Sequence, residues 1–231
     1  MQERYDGNVP APAGYDVEQR PAEQPKGRRG GALREFVQTI LIAVLIFVAV
    51  RAFVLPYEVD GSSMQPGLHD RDRVLVNRQS YTTFDLNGVL NWIPGVDREG
   101  AWLWSPFGDL ERGDIVVLEP PVDADEPFIK RIVGLPGDTV SFSDGYVILN
   151  GERLDESYIP EAITTCDPDN ALVDQPTCDI TVPDGYVYVL GDNRTPRGSE
   201  DSRMFGLVPQ ENLHGEAFLI NWPFDRIGGM P

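Results

Sequence analysis

Ser62 and Ser63 stand side by side in "GSSMQPGL", between a glycine and a proline. Gly and Pro at those places mark a tight turn. A serine presented by such a turn is a nucleophile only if a base takes its proton. Histidine is the first base to look for, and the chain has two, His69 and His214. Neither lies in a setting that suggests a triad, and both read as surface residues. Lys130 is different. It sits in "FIKRIVGLPGD" among Phe128, Ile129, Ile132 and Val133, and it is the lone lysine after Arg51. If that run is a strand, Lys130 shares a face with Phe128 and Ile132. Desolvation then disfavours the ammonium, and a neutral amine can accept a serine proton. Lowering a lysine pKa from about 10.4 to about 8 costs roughly 3 kcal/mol. The contrasting reading is an exposed lysine on a strand edge. The residues alone leave both readings open, as they leave open which serine is served.

The elements that must position these groups are legible in outline. Residues 1–31 are rich in Pro, Gln, Glu, Gly and Arg without apolar period, and read as a disordered tail. An apolar run follows, unbroken from Ile40 to Val50. At about 20 residues it is long enough to cross a bilayer as a helix. Residues 32–55 are therefore expected to be a transmembrane anchor. Lys26, Arg28, Arg29 and Arg34 precede it, which puts that end in the cytoplasm. A cleaved secretory signal, cut after Ala52, is the contrasting reading; the long polar tail and the length of the run favour a retained anchor. From residue 56 to 231 short apolar runs alternate with Gly, Pro, Asp and Asn, as in "DRVLVN", "DIVVLEP", "DTVSFSDGYVILNG" and "GYVYVLGD". These read as strands with tight turns, so the second part is expected to be a mainly β, extracytoplasmic domain. Tyr81 to Leu110 holds Trp92, Trp102 and Trp104. That segment either closes over the β core or rests at the membrane surface, where Trp is enriched.

The formal charge of the 231 residues is −18, which argues against a nucleic-acid partner. Nearly all the excess negative charge lies after Arg51. Cys166 and Cys178 are the only cysteines and flank a Pro/Asp-rich loop. The spacing suits a disulfide in an oxidising compartment, and two ligands alone make a poor zinc site.

Five blocks in order resemble the type I signal peptidases, membrane-bound Ser/Lys proteases that remove signal peptides from exported proteins. They are "GSSMQPGL", "RGDIVVLEPP", "FIKRIVGLPGD", "GDNRTPRGSEDSRMFGLVP" and "NWPFDRIG", spanning about Val59 to Gly228. The resemblance implies a signal-peptidase-like β-rich catalytic domain behind one transmembrane helix. It assigns the nucleophile to Ser63, directly before Met64, with Ser62 beside it, and the general base to Lys130, beside Arg131. Alignment on "DSR" makes Ser199 the serine that orients the lysine amine, with Ser202 as the alternative because the block is two residues longer than usual. Asp201 and Arg203 match the acid and arginine that brace the site. Asp192, Asn193 and Arg194 match a turn read as mainly structural. Many relatives carry a serine two positions before the nucleophile, to help hold the oxyanion; this chain has Gly61. Its oxyanion donor would be the Ser63 backbone N–H, aided by Ser62 or a water.

The resemblance implies cleavage after small residues in an A-x-A pattern, through an acyl-enzyme, with no cofactor and no metal. It names preprotein signal peptides and the lipid bilayer as partners, with the secretion translocon as a further candidate. It places the protein in the cytoplasmic membrane, N-terminus inside and catalytic domain outside. A self-cleaving protease of the repressor type would need a soluble DNA-binding N-terminal domain in place of the apolar run. An inactive membrane-anchored binding module would have no use for Ser63 and Lys130 in matching blocks.

Overall fold

The computed structural model describes residues 29–81, 84–85, 91, 103–104, 108–160, 163–167, 169, 171–173 and 177–231. The expected disordered tail (up to residue 28) and most of the Trp-rich segment lie outside the described residues. The chain divides into two compact units, residues 1–44 and 45–231.

Helix α1 runs Arg29–Phe53. Within it, Leu33–Phe53 is long and apolar enough to cross a membrane, and its described side chains are exposed. The helix begins at Arg29, inside the segment read as tail. It ends at Phe53 because Val54 and Leu55 pair as strand with Asn77 and Val76.

The second unit is built from fourteen described strands: β1 (Val54–Glu58), β2 (Arg73–Asn77), β3 (Phe84–Asp85), β4 (Leu103–Trp104), β5 (Ile115–Leu118), β6 (Phe128–Gly134), β7 (Thr139–Ser143), β8 (Tyr146–Leu149), β9 (Glu152–Arg153), β10 (Ile180–Thr181), β11 (Tyr186–Leu190), β12 (Val208–Pro209), β13 (Leu213–Trp222) and β14 (Gly228–Gly229). One short helix, α2 (Ser202–Phe205), precedes β12. The mainly β expectation holds. The large sheet has the order β1-β2-β13-β5-β6-β11-β12, with β14 also on β13; a smaller sheet has the order β10-β7-β8-β9. All described pairings are antiparallel.

The centre of the large sheet positions the chemistry. All four residues of β5 are buried, and so are six of the seven in β6. Strands covered on both faces read as continuous apolar runs instead of alternating ones. One cluster, with Ile129, Val117 and Val59, fills one side of this region. Another, with Ile132, Val116 and Phe205, fills the other. Val133, Tyr188 and Leu190 form a third with the smaller sheet.

Candidate active site

The serine turn leaves β1, an edge strand, and returns to β2. Gly61 has φ +82°, in the left-handed region that favours glycine, and donates its N–H to Asp70 Oδ1 at 2.9 Å. Leu68 N donates to Met64 O at 2.9 Å. Met64 and Leu68 are fully buried in the core cluster under the turn. Burying two such side chains stabilises by about 1.5–3 kcal/mol each, and this pins the turn while Ser63 stays half-exposed and Ser62 exposed.

Lys130 comes from the middle of β6, opposite Val116 of β5. It is 3% exposed. Its Nζ lies 3.0 Å from Ser63 Oγ and donates to Ile129 O at 2.9 Å. The Phe128 ring centroid is 4.9 Å from Nζ. Burial lowers the lysine pKa to about 8, against the opposing pull of Asp201, Glu200 and Asp192. A neutral amine in this position can donate to Ile129 O while its lone pair accepts from the Ser63 hydroxyl. Arg131 belongs to the opposite arrangement. It forks onto Asp192, at 2.9 and 2.7 Å, donates to Gly113 O at 2.8 Å and lies over the Tyr158 ring.

The block after β11 closes the other side. Asp201 caps α2, accepting from Arg203 N, and takes both Nε and Nη2 of Arg203 at 2.8 Å. Its Oδ2 also accepts from Gly191 N at 3.0 Å. A Cβ on Gly191 would overlap Ser199 Oγ and lie 2.5 Å from Ser63 O, so glycine is what lets the block approach the serine turn. Ser202 Oγ accepts from Val189 N at 2.9 Å, and the cleft lining does not include it. Ser199 lines the cleft with Ser63 and Lys130. Its buried Oγ has no hydrogen-bond partner among the described residues, whereas the resemblance implied a bond to the lysine amine. In this structure the amine's bonds run to Ser63 Oγ and Ile129 O.

The cleft holds about 410 Å³ and runs past Tyr57, Val59, Ser63, Ile129, Lys130 and Ser199. Three contributors are missed from the sequence, where Asn193 reads as structural, His214 reads as a surface residue and Gly191 is passed over. Asn193, read as structural, grips the nucleophile turn: its N–H donates to Ser63 O at 3.0 Å and its Nδ2 to Ser62 O at 3.1 Å. His214 is half-buried, and its Nδ1 shares a 3.1 Å hydrogen bond with the hydroxyl of Tyr57 on the cleft wall. Gly191 is the third. His69 is exposed, as expected.

A family model described as signal peptidase, peptidase S26, matches residues 33–222. Signal peptidase I of Bacillus amyloliquefaciens is 33% identical over 208 residues, covering 89% of this chain and 97% of that protein. Signal peptidase I S of Bacillus subtilis (strain 168) is 34% identical over 201 residues, 85% of this chain and 92% of the relative. The probable signal peptidase I-2 of Synechocystis is 36% identical, covering 84% and 75%. The crystal structure of a signal peptidase I from Enterococcus faecalis V583 is 36% identical, covers 47% of this chain and 96% of that chain, and has a TM-score of 0.39. The chain therefore belongs to the signal peptidase family, peptidase S26. It is a serine peptidase, a hydrolase that removes signal peptides from preproteins.

Proposed function

We propose that this signal peptidase works through a Ser63/Lys130 dyad. The observation that carries the reading is the 3.0 Å approach of a buried lysine amine to a half-exposed serine hydroxyl. Neutral Lys130 takes the Ser63 proton as Oγ attacks the scissile carbonyl. The C–N bond breaks, the ammonium returns its proton to the leaving amine, and an acyl-enzyme remains. The amine then deprotonates a water that hydrolyses the ester and restores Ser63. The Ser63 N–H supports the oxyanion. Asp201, held by Arg203, and Asp192, held by Arg131, keep the surrounding acids paired, which limits their pull on the lysine proton.

Substrate lies extended along β1, whose outer edge has no strand beside it among the described residues. The walls around Tyr57, Val59 and Ile129 leave room for small side chains at the first and third positions before the cut. Helix α1 anchors the chain in the cytoplasmic membrane, with residues 1–31 inside and 56–231 outside; the bilayer and the translocon deliver the substrate to that face. The basic flank before the helix and the paired cysteines after it support this topology.

Cleavage of a preprotein whose signal ends in A-x-A, in detergent from pH 6 to 10, tests the dyad. A single cut after the second alanine is expected, with the rate rising through an acid limb near pH 8, the value to which burial brings Lys130. Ser63→Ala and Lys130→Ala are expected to be inert. Activity retained by Lys130→Ala would remove the lysine as base.

A further inference from the structure

Two buried arginines converge on Gly191, the residue packed against Ser63 and Ser199. Arg194 Nε donates to the Gly191 carbonyl at 2.7 Å. Arg203 holds Asp201, which accepts the Gly191 N–H. Both arginines are anchored at their far ends on adjacent residues. Arg194 Nη1 donates to Thr164 Oγ1 at 3.2 Å, and Arg203 Nη1 to Thr165 O at 3.2 Å; Arg194 Nη2 is also ion-paired with Glu156, so the Arg203 arm depends most on the frame. The next residue is Cys166, bonded to Cys178. On the other arm, Tyr188 of β11 donates its hydroxyl to Thr177 O at 2.6 Å, one residue before Cys178. Inside the loop, Leu172 N donates to Met204 O at 2.6 Å. The disulfide thus closes a frame whose contacts end on the main chain beside Ser63. Both cysteines are partly exposed, so a small reductant can reach them.

We propose that the Cys166–Cys178 bond is a clamp on the active site: it holds Thr164 and Thr165 against Arg194 and Arg203, and its reduction by a dithiol loosens the Ser63–Lys130 arrangement and lowers cleavage. The inference rests on the dyad reading above. In the reductive step a thiolate attacks one protein sulfur and the S–S bond breaks. The second thiol of the reductant closes onto the mixed disulfide. The reductant leaves oxidised, and two protein thiols remain.

A loosened clamp acts on Lys130 in a definite direction. The groups facing its amine are Asp201 and Glu200 from the block, Asp192 after β11 with its partner Arg131, Ser63 from the turn, and Phe128 on its own strand; the neighbour on β5 is Val116. When Arg203 loses its anchor, the Asp201 charge is less fully matched and water enters beside the amine. Both changes favour the ammonium, so the acid limb moves up. A rise of about one unit lowers the neutral amine about tenfold at pH 7 and very little at pH 9.5.

The experiment uses the full chain in detergent with a preprotein substrate. It compares oxidised enzyme, dithiol-treated enzyme, the Cys166→Ala/Cys178→Ala double variant, and Arg203→Lys with the bond intact. Expected are kcat down about tenfold at pH 7, near-complete recovery by pH 9.5, an unchanged KM, and reversal on reoxidation. Arg203→Lys should shift the limb the same way, and it carries the test if the reduced forms unfold. Wild-type kcat and pH profile in the reduced enzyme would overturn the clamp, as would a loss equal at every pH. Lys130→Ala run alongside separates the two failures: if it stays active, the dyad has failed; if it is inert while the reduced enzyme behaves as wild type, the clamp alone has failed.

Discussion

Lys130 and Ser63 stand 3.0 Å apart, yet unlike structures hold them. The lysine rises from the centre of β6, paired on both sides and buried on both faces. The serine sits in a half-exposed turn next to an edge strand, fixed from beneath by Met64 and Leu68 and from above by Asn193 and Gly191. The difference suits the two roles proposed above. A lysine becomes a base only where water is excluded, which needs the densest part of the sheet. A nucleophile must meet a substrate, which needs an edge. Changes on the lysine side should therefore alter protonation, and changes on the serine side should alter placement.

The largest effect should come from Lys130→Met, which removes the proposed base and keeps the volume. Cleavage is expected to fall by about 10⁴-fold or more, as for a lost member of a catalytic unit. Stability should move the opposite way. The folded pKa of about 8 lies below the ordinary lysine value of 10.5, so between those values the unfolded chain binds more protons and stability rises with pH. Below pH 8 the burial penalty, about 3 kcal/mol, is fully present; above the ordinary value it is gone. Lys130→Met should therefore raise the Tm at pH 7 and lose that advantage near pH 10.5. An unchanged Tm at pH 7 would show that the lysine is not held dry.

On the serine side, Gly191→Ala should cost about 10²-fold in kcat, because the new Cβ must push Ser199 or Ser63 aside and misplaced reacting groups are that costly. Its acid limb should stay near pH 8; a limb that moves instead would merge the two halves of the contrast. Asn193→Ala leaves the backbone bond to Ser63 O in place and removes the amide bond to Ser62 O, along with the bonds its Oδ1 accepts from Thr195 N and Oγ1. A loss of about tenfold in kcat is expected, near the worth of one hydrogen bond. The smallest effect belongs to His214→Ala. With Tyr57 unanchored, the cleft wall should admit larger residues before the cut, seen as a change of about threefold in relative kcat/KM for bulky against small side chains. The effect falls below the roughly 10–200-fold that one methylene makes in a pocket, because Tyr57 stays paired in β1 and only its hydroxyl is released.

The lysine half of this contrast was far more legible in the sequence than the serine half. "FIKRIVG" announces a buried strand by its composition, and a lone lysine in it stands out. Apolar period and turn residues likewise marked the exposed helix, the β character of the second part and the tight turn in "DTVSFSDGYVILNG", where Ser143 pairs with Tyr146. What surrounds Ser63 was not legible, because the partners meet only through sheet topology. Asn193 is bonded to Ser62 across 131 positions, and Tyr57 to His214 across 157. No local period carries such pairs. The residues alone could not separate Ser199, chosen by alignment, from Ser202 for a related reason: three residues apart, one satisfies Val189 N at the start of α2 and the other faces the cleft. That depends on where the helix begins.

The bond from Lys130 to Ile129 O has a further consequence. An amine stripped of its charge is also a good nucleophile, and in the mechanism proposed above it stands beside an ester during turnover. Transfer of the acyl group from Ser63 to Nζ would leave an amide that water does not reopen, and the enzyme would be spent. The Ile129 carbonyl holds one N–H and so restrains rotation of the amine; on the dyad reading this keeps its lone pair toward the Ser63 oxygen and the water that hydrolyses the ester, instead of over the acyl carbon. Under that mechanism, a strand carbonyl one residue away would protect the catalyst from its own reagent.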